Sequence, residues 1–166
     1  MSFCVVKDSK FQQNALKFLL STGSNEEPTG LFETFGGILS NLNYAWLVNG
    51  SKFVVVSCKR GNQVGSWDFV NTLHDNTSKI LGVGEIHRSH GREPLLAISI
   101  NCETNGGIIC IFDFIGSKVI RAIHVVDQIS YLHVIDVGQD LFNLSGPLQN
   151  FDGIFAVGTL EEMFIL

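Results

Sequence analysis

A unit of two strands recurs along this chain. Phe53-Val54-Val55-Val56-Ser57-Cys58, a polar turn and Trp67-Asp68-Phe69 make one copy. Leu96-Ala97-Ile98-Ser99-Ile100-Asn101-Cys102, a polar turn and Phe112-Asp113-Phe114 make a second. Ile154-Phe155-Ala156-Val157-Gly158, an acidic turn and Met163-Phe164-Ile165-Leu166 read as a third, delayed by a loop over residues 138–152. Short runs rich in β-branched and aromatic residues, bounded by turn residues, form strands. Trp67 and Phe112 are about 45 residues apart, inside the range of propeller blades. That period, with four strands per unit, predicts an all-β chain folded as a partial WD40-like β-propeller of about three blades. A β-sandwich is the alternative, but a sandwich has no reason to restart the unit.

The remaining strands follow from the same pattern. Residues 44–48 and 52–58 flank Asn49-Gly50, a dipeptide whose preferred turn matches the twist of paired strands. Further strands are expected over 63–69, 80–86, 95–100, 108–114, 118–125 and 129–137. Before them the chain differs. Residues 11–20 fit a short helix, 21–30 form a polar loop rich in structure breakers, and 31–39 are ambiguous. The expected division is therefore an N-terminal extension over residues 1–41 and a partial propeller over 42–166. The sequence stops within an apolar strand, with no turn or polar tail after Leu166. This predicts a propeller truncated at its C-terminus, with an open sheet edge there.

Composition narrows the function classes. Charged residues make up 16% of the chain and the net charge is −5, so it is not built as a whole to wrap nucleic acid. No apolar run reaches the roughly 18 residues of a membrane-spanning helix, which argues against membrane insertion. The first residues lack the apolar core of a secretion signal, so four cysteines read as reduced intracellular thiols. In that setting the Asn-x-Ser/Thr triplets at Asn49, Asn76 and Asn143 are chance matches.

The densest basic cluster is His87-Arg88-Ser89-His90-Gly91-Arg92, flanked by Glu85 and Glu93, which read as loop residues. His87 and His90 could hold a metal, but no paired Cys/His spacing accompanies them. Contact with phosphate or an acidic partner is the better use, so His87, Arg88, His90 and Arg92 form the candidate contact loop for chromatin or protein. A merely solvated loop is the reading such a surface segment takes first, and contact is the use it would have beyond that. Gly82-Val83-Gly84 lacks the third glycine and the following helix of a dinucleotide site. Cys58, Cys102 and Cys110 lie in or beside strands and read as small apolar groups. His74, His124 and His133 stand near Asp75, Asp127 and Asp136, but no nucleophile elbow accompanies them. Trp46 and Trp67 are expected to pack within the sheets.

Gly107-Ile108-Ile109-Cys110-Ile111-Phe112-Asp113-Phe114-Ile115-Gly116-Ser117-Lys118-Val119-Ile120-Arg121-Ala122-Ile123 resembles a stretch in the N-terminal propeller of ELYS-like nucleoporins. The similarity continues over residues 129–134 and resumes at 153–166. Upstream, residues 46–69 share the rhythm of the preceding blade, so the resemblance spans roughly 42–166. It implies a non-enzymatic scaffold at the nuclear pore complex, in the nucleus and at the nuclear envelope. Such a propeller supports pore assembly by docking to nucleoporins of the Y-shaped scaffold subcomplex and, through its loops, to nucleosomes or chromatin. The resemblance calls for no cofactor and no small-molecule substrate. The helical domain and DNA-binding hooks of that family have no counterpart in these residues. Alternatives are the propeller of a vesicle-coat or ciliary transport scaffold and, further off, a small metal-dependent hydrolase.

Overall fold

The computed structural model describes residues 34–88, 92–125, 127–135, 154–159 and 163–165. The chain divides after Asp68 into two compact units. Both are built from antiparallel meanders, in which each strand pairs with the next in sequence.

The first unit holds one sheet: β1 (Thr34–Ile38), β2 (Tyr44–Asn49), β3 (Lys52–Ser57) and β4 (Gln63–Asp68), paired in that order. β1 lies in the segment that read as ambiguous. Two glycines and an alternating exposure pattern leave it little apolar signal of its own. The β2–β3 turn is tight, since Asn49 pairs with Lys52 and only Gly50 and Ser51 stand between them. Gly50 has φ 58 while Ser51 has no positive φ. Glycine therefore fills the first central position of a two-residue hairpin, and Asn49 is the last paired residue rather than part of the turn. On one face of the sheet a diagonal of rings crosses all four strands. Phe35 meets Trp46 edge-on at 5.8 Å, Trp46 lies 6.4 Å from Phe53, and Phe53 lies 5.7 Å from Trp67. Both indoles thus pack within the sheet, as expected of them. On the other face Val54 and Val56 pack with Ala45 and Leu47. The interior of β3, from Phe53 to Val56, is buried on both sides.

The second unit begins with α1 (Phe69–Leu73), a single helical turn where the sequence reading carried the strand on to Phe69. A four-stranded sheet follows: β5 (Lys79–Ile86), β6 (Leu95–Cys102), β7 (Gly106–Asp113) and β8 (Lys118–Val125). A further sheet has the order β11-β10-β9, from β9 (Ile129–Ile135), β10 (Ile154–Thr159) and β11 (Met163–Ile165). β9 lies across the face of the β5–β8 sheet. Its Leu132 and Val134 join Ile86, Leu95, Ala97 and Ile111, and its Ile129 packs on Ile109, Ile123 and Val125. This approach depends on absent side chains. A Cβ at Gly84 would stand 2.4 Å from Val134 Cγ2. The opposite face of the sheet is covered too. Leu96, Ile98, Ile100 and Phe112 are fully or almost fully buried, and Phe69 meets Phe112 edge-on at 6.5 Å. Burial on both faces explains why β6 and β7 read as continuous apolar runs instead of alternating.

The recurring unit is real as strand pairs, but its first copy is out of phase. Thr34, Lys79 and Ile129 open the three sheets. Residues 96–102 and 112–113 lie on the second and third strands of their sheet, as do residues 154–157 and 163–165. Residues 53–57 and 67–68 lie instead on the third and fourth strands of theirs. Two-sided burial makes the central strands of any such sheet look alike in sequence, and β1 was too weak to be counted. The helix expected over 11–20, the residue Leu166 and the loop over 138–152 lie outside the described residues.

Candidate contact surfaces and a buried carboxylate

The β5–β6 connection carries the basic cluster. His87 and Arg92 are exposed and Arg88 is half-buried, while His90 lies outside the described residues. The Arg88 Nε donates a 2.7 Å hydrogen bond to the carbonyl of Glu93, so this guanidinium ties the two stems of the loop together. Glu85 is a strand residue, paired with Leu96, and its carboxylate stands 3.9 Å from His87 Nδ1. That distance is a charge contact for a protonated imidazole rather than a hydrogen bond. Arg92 is left as the exposed cation of the described part of the loop. Among the described residues no group of three or more His, Cys, Asp or Glu is placed to hold a metal ion.

The other end of the β5–β8 sheet is organised by a carboxylate that sequence reasoning left unassigned. Asp75 is buried between α1 and β5. One oxygen accepts the Thr77 hydroxyl and, at 2.8 Å, the Thr77 N–H. The other accepts the Thr104 hydroxyl and, at 3.4 Å, the Asn105 amide. Thr77 Oγ1 in turn accepts the Glu103 N–H at 2.8 Å. The carboxylate therefore pins the approach to β5 against the β6–β7 turn. The Thr104 hydroxyl, then the hydroxyl and N–H of Thr77, hold Asp75 below the ordinary carboxylate range, because each donor favours the ionised form. Its sequence neighbour His74 is exposed, with φ 54, and is not its partner. The Asp-x-Thr spacing was the available signal, since such a side chain bonds the backbone two residues on.

A second device joins β6 to β9. Asn101 donates from Nδ2 to the Ile129 carbonyl at 3.0 Å and accepts the Ile129 N–H at 2.8 Å through Oδ1. One side-chain amide thus replaces a missing ladder partner at both backbone groups. Gln128 adds a bond from Nε2 to the Cys102 carbonyl at 3.0 Å. Beside these lies an open recess of about 420 Å³, lined by Glu103, Asn105, His124, Asp127 and Gln128 among others. His124 Nε2 is hydrogen-bonded to the Asn105 carbonyl. His133 lies on β9 with its ring 6.1 Å from that of Tyr131, nearly parallel to it.

The thiols separate into two kinds. Cys102 and Cys110 are buried, with Cys102 Sγ 3.4 Å from Ser78 Oγ. Burial, and then the neighbouring Cys102, push the Cys110 thiol up to about 11. It stays protonated at neutral pH and behaves as an apolar group. Cys58 departs from that reading. It is exposed, in the turn after β3.

No family model matches this sequence, and no curated protein matches it.

Proposed function

We propose that the three sheets are consecutive blades of a β-propeller, and that this chain acts as a non-enzymatic docking platform of the ELYS-like nucleoporin kind. The observation that carries the architectural half is the burial of β3, β6 and β7 on both faces. In a two-layer sandwich each sheet turns one face to solvent, and its strands alternate. Stacked blades leave no such free face on an inner sheet, and each blade is a meander of the kind seen here. The functional half rests on the resemblance over residues 107–123, which form the β7–β8 hairpin, and over 129–134, within β9. On this reading the partners are nucleoporins of the Y-shaped subcomplex, with chromatin met through exposed loops such as the one bearing Arg92. The protein then works at the nuclear pore complex, at the nuclear envelope.

Affinity capture from nuclear extract with the tagged protein, read by mass spectrometry, tests this. Enrichment of Y-subcomplex nucleoporins is the expected result. Enrichment of vesicle-coat or ciliary transport subunits in their place would move the protein to another scaffold. Stoichiometric zinc or iron in the purified protein would reopen the hydrolase reading.

A further inference from the structure

We propose that the outer edge of β8 takes up an extended peptide of alternating acidic and apolar residues, as a fifth strand of its sheet. This goes beyond the propeller reading and does not depend on it, because it rests on strand order, register and charge alone. Among the described residues no strand pairs beyond β8, which ends the order β5-β6-β7-β8. An unpaired edge presents backbone N–H and C=O groups to solvent, and added strands bind through them.

Two features set this edge apart. The first is apolar exposure. Lys118 to Ala122 are all exposed, including Val119 at 39% and Ile120 at 50%, and Ile115 in the preceding turn is also 50% exposed. The second is charge and its register. Lys118, Arg121 and His124 are the ionisable residues of β8, and there is no acid among them. Lys118 opposes Asp113 and Arg121 opposes Ile111, which places both cations on the face where β9 packs. Val119 opposes Phe112 and Ala122 opposes Cys110, on the other face. The Asp113 carboxylate accepts the Gly116 N–H at 2.9 Å. Neither Lys118 nor Arg121 has an ion-pair partner among the described residues.

An incoming strand alternates its side chains between the two faces. Acidic residues on one face would meet Lys118 and Arg121, and apolar residues on the other would meet Val119 and Ala122. Cross-strand pairs of opposite charge and of apolar groups both favour that register. A second copy of this chain fits badly. Pairing β8 with itself would set side by side two strands that carry Lys118 and Arg121 and no acid, and like charges across strands repel. The extra residue Ile120, a bulge opposite the Ile111–Phe112 step, bends the strand locally and sets Lys118 and Arg121, three residues apart, on the same face. Cations on an edge can also serve only to ward off aggregation, and the experiment separates that role from peptide binding.

Three fluorescein-labelled ten-residue peptides are titrated with the 166-residue chain and followed by anisotropy. One alternates Glu with Val, one alternates Lys with Val, and one has the composition of the first with its Glu and Val in two blocks. The Glu-Val peptide should bind, and the other two should bind at least about tenfold more weakly. Its addition should slow amide exchange along β8. The double variant K118E/R121E should reverse the preference toward the Lys-Val peptide. The milder K118Q/R121Q should lose affinity without reversal, and both variants are checked for folding by circular dichroism. The proposal is overturned if the wild-type chain ignores the Glu-Val peptide, or if the block peptide binds as well. It is overturned equally if both folded variants keep wild-type preference, or if protection appears away from β8.

Discussion

The contact between β9 and the face of β5 makes a prediction that can be worked through. A methyl group at Gly84 would sit 2.4 Å from Val134 Cγ2, where carbon atoms in contact normally stand about 3.5–4.0 Å apart. Overpacking of this kind costs about 1–3 kcal/mol. Gly84 has no positive φ, so alanine is allowed by the backbone and recovers about 0.4–1 kcal/mol by stiffening the unfolded chain. Gly84→Ala should therefore destabilise the second unit by about 1–2 kcal/mol. Val134→Ala removes two methyl groups from a half-buried site, a loss of about 1 kcal/mol. In the double variant the new methyl enters the space that Val134 vacates. The combined loss should fall short of the sum of the singles by about 1 kcal/mol or more. Gly82→Ala is the control. Its Cβ would meet Ser99 Oγ at 3.1 Å and Leu132 Cβ at 3.4 Å, so its cost should be smaller. Both tryptophans, Trp46 and Trp67, belong to the first unit, so their fluorescence would follow the wrong part of the chain. Urea unfolding followed by circular dichroism, with amide exchange at β9, is the suitable assay. Additive losses in the double variant, or equal costs at Gly82 and Gly84, would refute the packing argument.

Other perturbations follow from the same geometry. Asn101→Ala strips both backbone partners from Ile129 and should cost about 1–3 kcal/mol, with loss of exchange protection at the Ile129 amide. Asp75 has a folded pKa below its unfolded value of about 3.9, so its contribution is full above that value and is lost as pH falls through the folded pKa. Thermal midpoints measured from pH 7 down to pH 2.5 should therefore drop less steeply for Asp75→Asn than for the wild-type chain. In a Cys4→Ser background a thiol reagent should modify Cys58 quickly, and Cys102 and Cys110 only at the rate of unfolding. Arg92→Gln should weaken any nucleosome binding and lower its salt dependence by about one unit of slope. Arg88→Gln should also loosen the loop, through the lost bond to Glu93.

Much of the fold was legible in the sequence, for a local reason. Strand identity depends on side-chain shape and turn chemistry within a few residues. The run from Lys118 to Val125 gives its strand to the residue, and the other predicted strands lie within two residues of the observed bounds wherever they are described. β1 escaped because Gly36 and Gly37 leave it no apolar run. The buried thiols and the sheet-packed tryptophans could be foreseen from residue type. The basic loop could be located, but the sequence did not show that Arg88 spends a donor on Glu93.

Other assignments depended on contacts distant in the chain. Residues 53–57 and 96–102 look alike because both are covered on two faces. Only strand order shows that one is third in its sheet and the other second. Asp75 meets Thr104 at a sequence separation of 29, and Asn101 meets Ile129 at one of 28. No periodicity encodes such pairs, since each forms only when two sheets have set their register. The sequence by itself determined the strands and turns, through local propensity. The tertiary structure decided which strands are neighbours, which carboxylate is buried and which edge has no pairing strand among the described residues. Those outcomes turn on long-range packing, where one missing methyl group at Gly84 governs how closely two sheets approach.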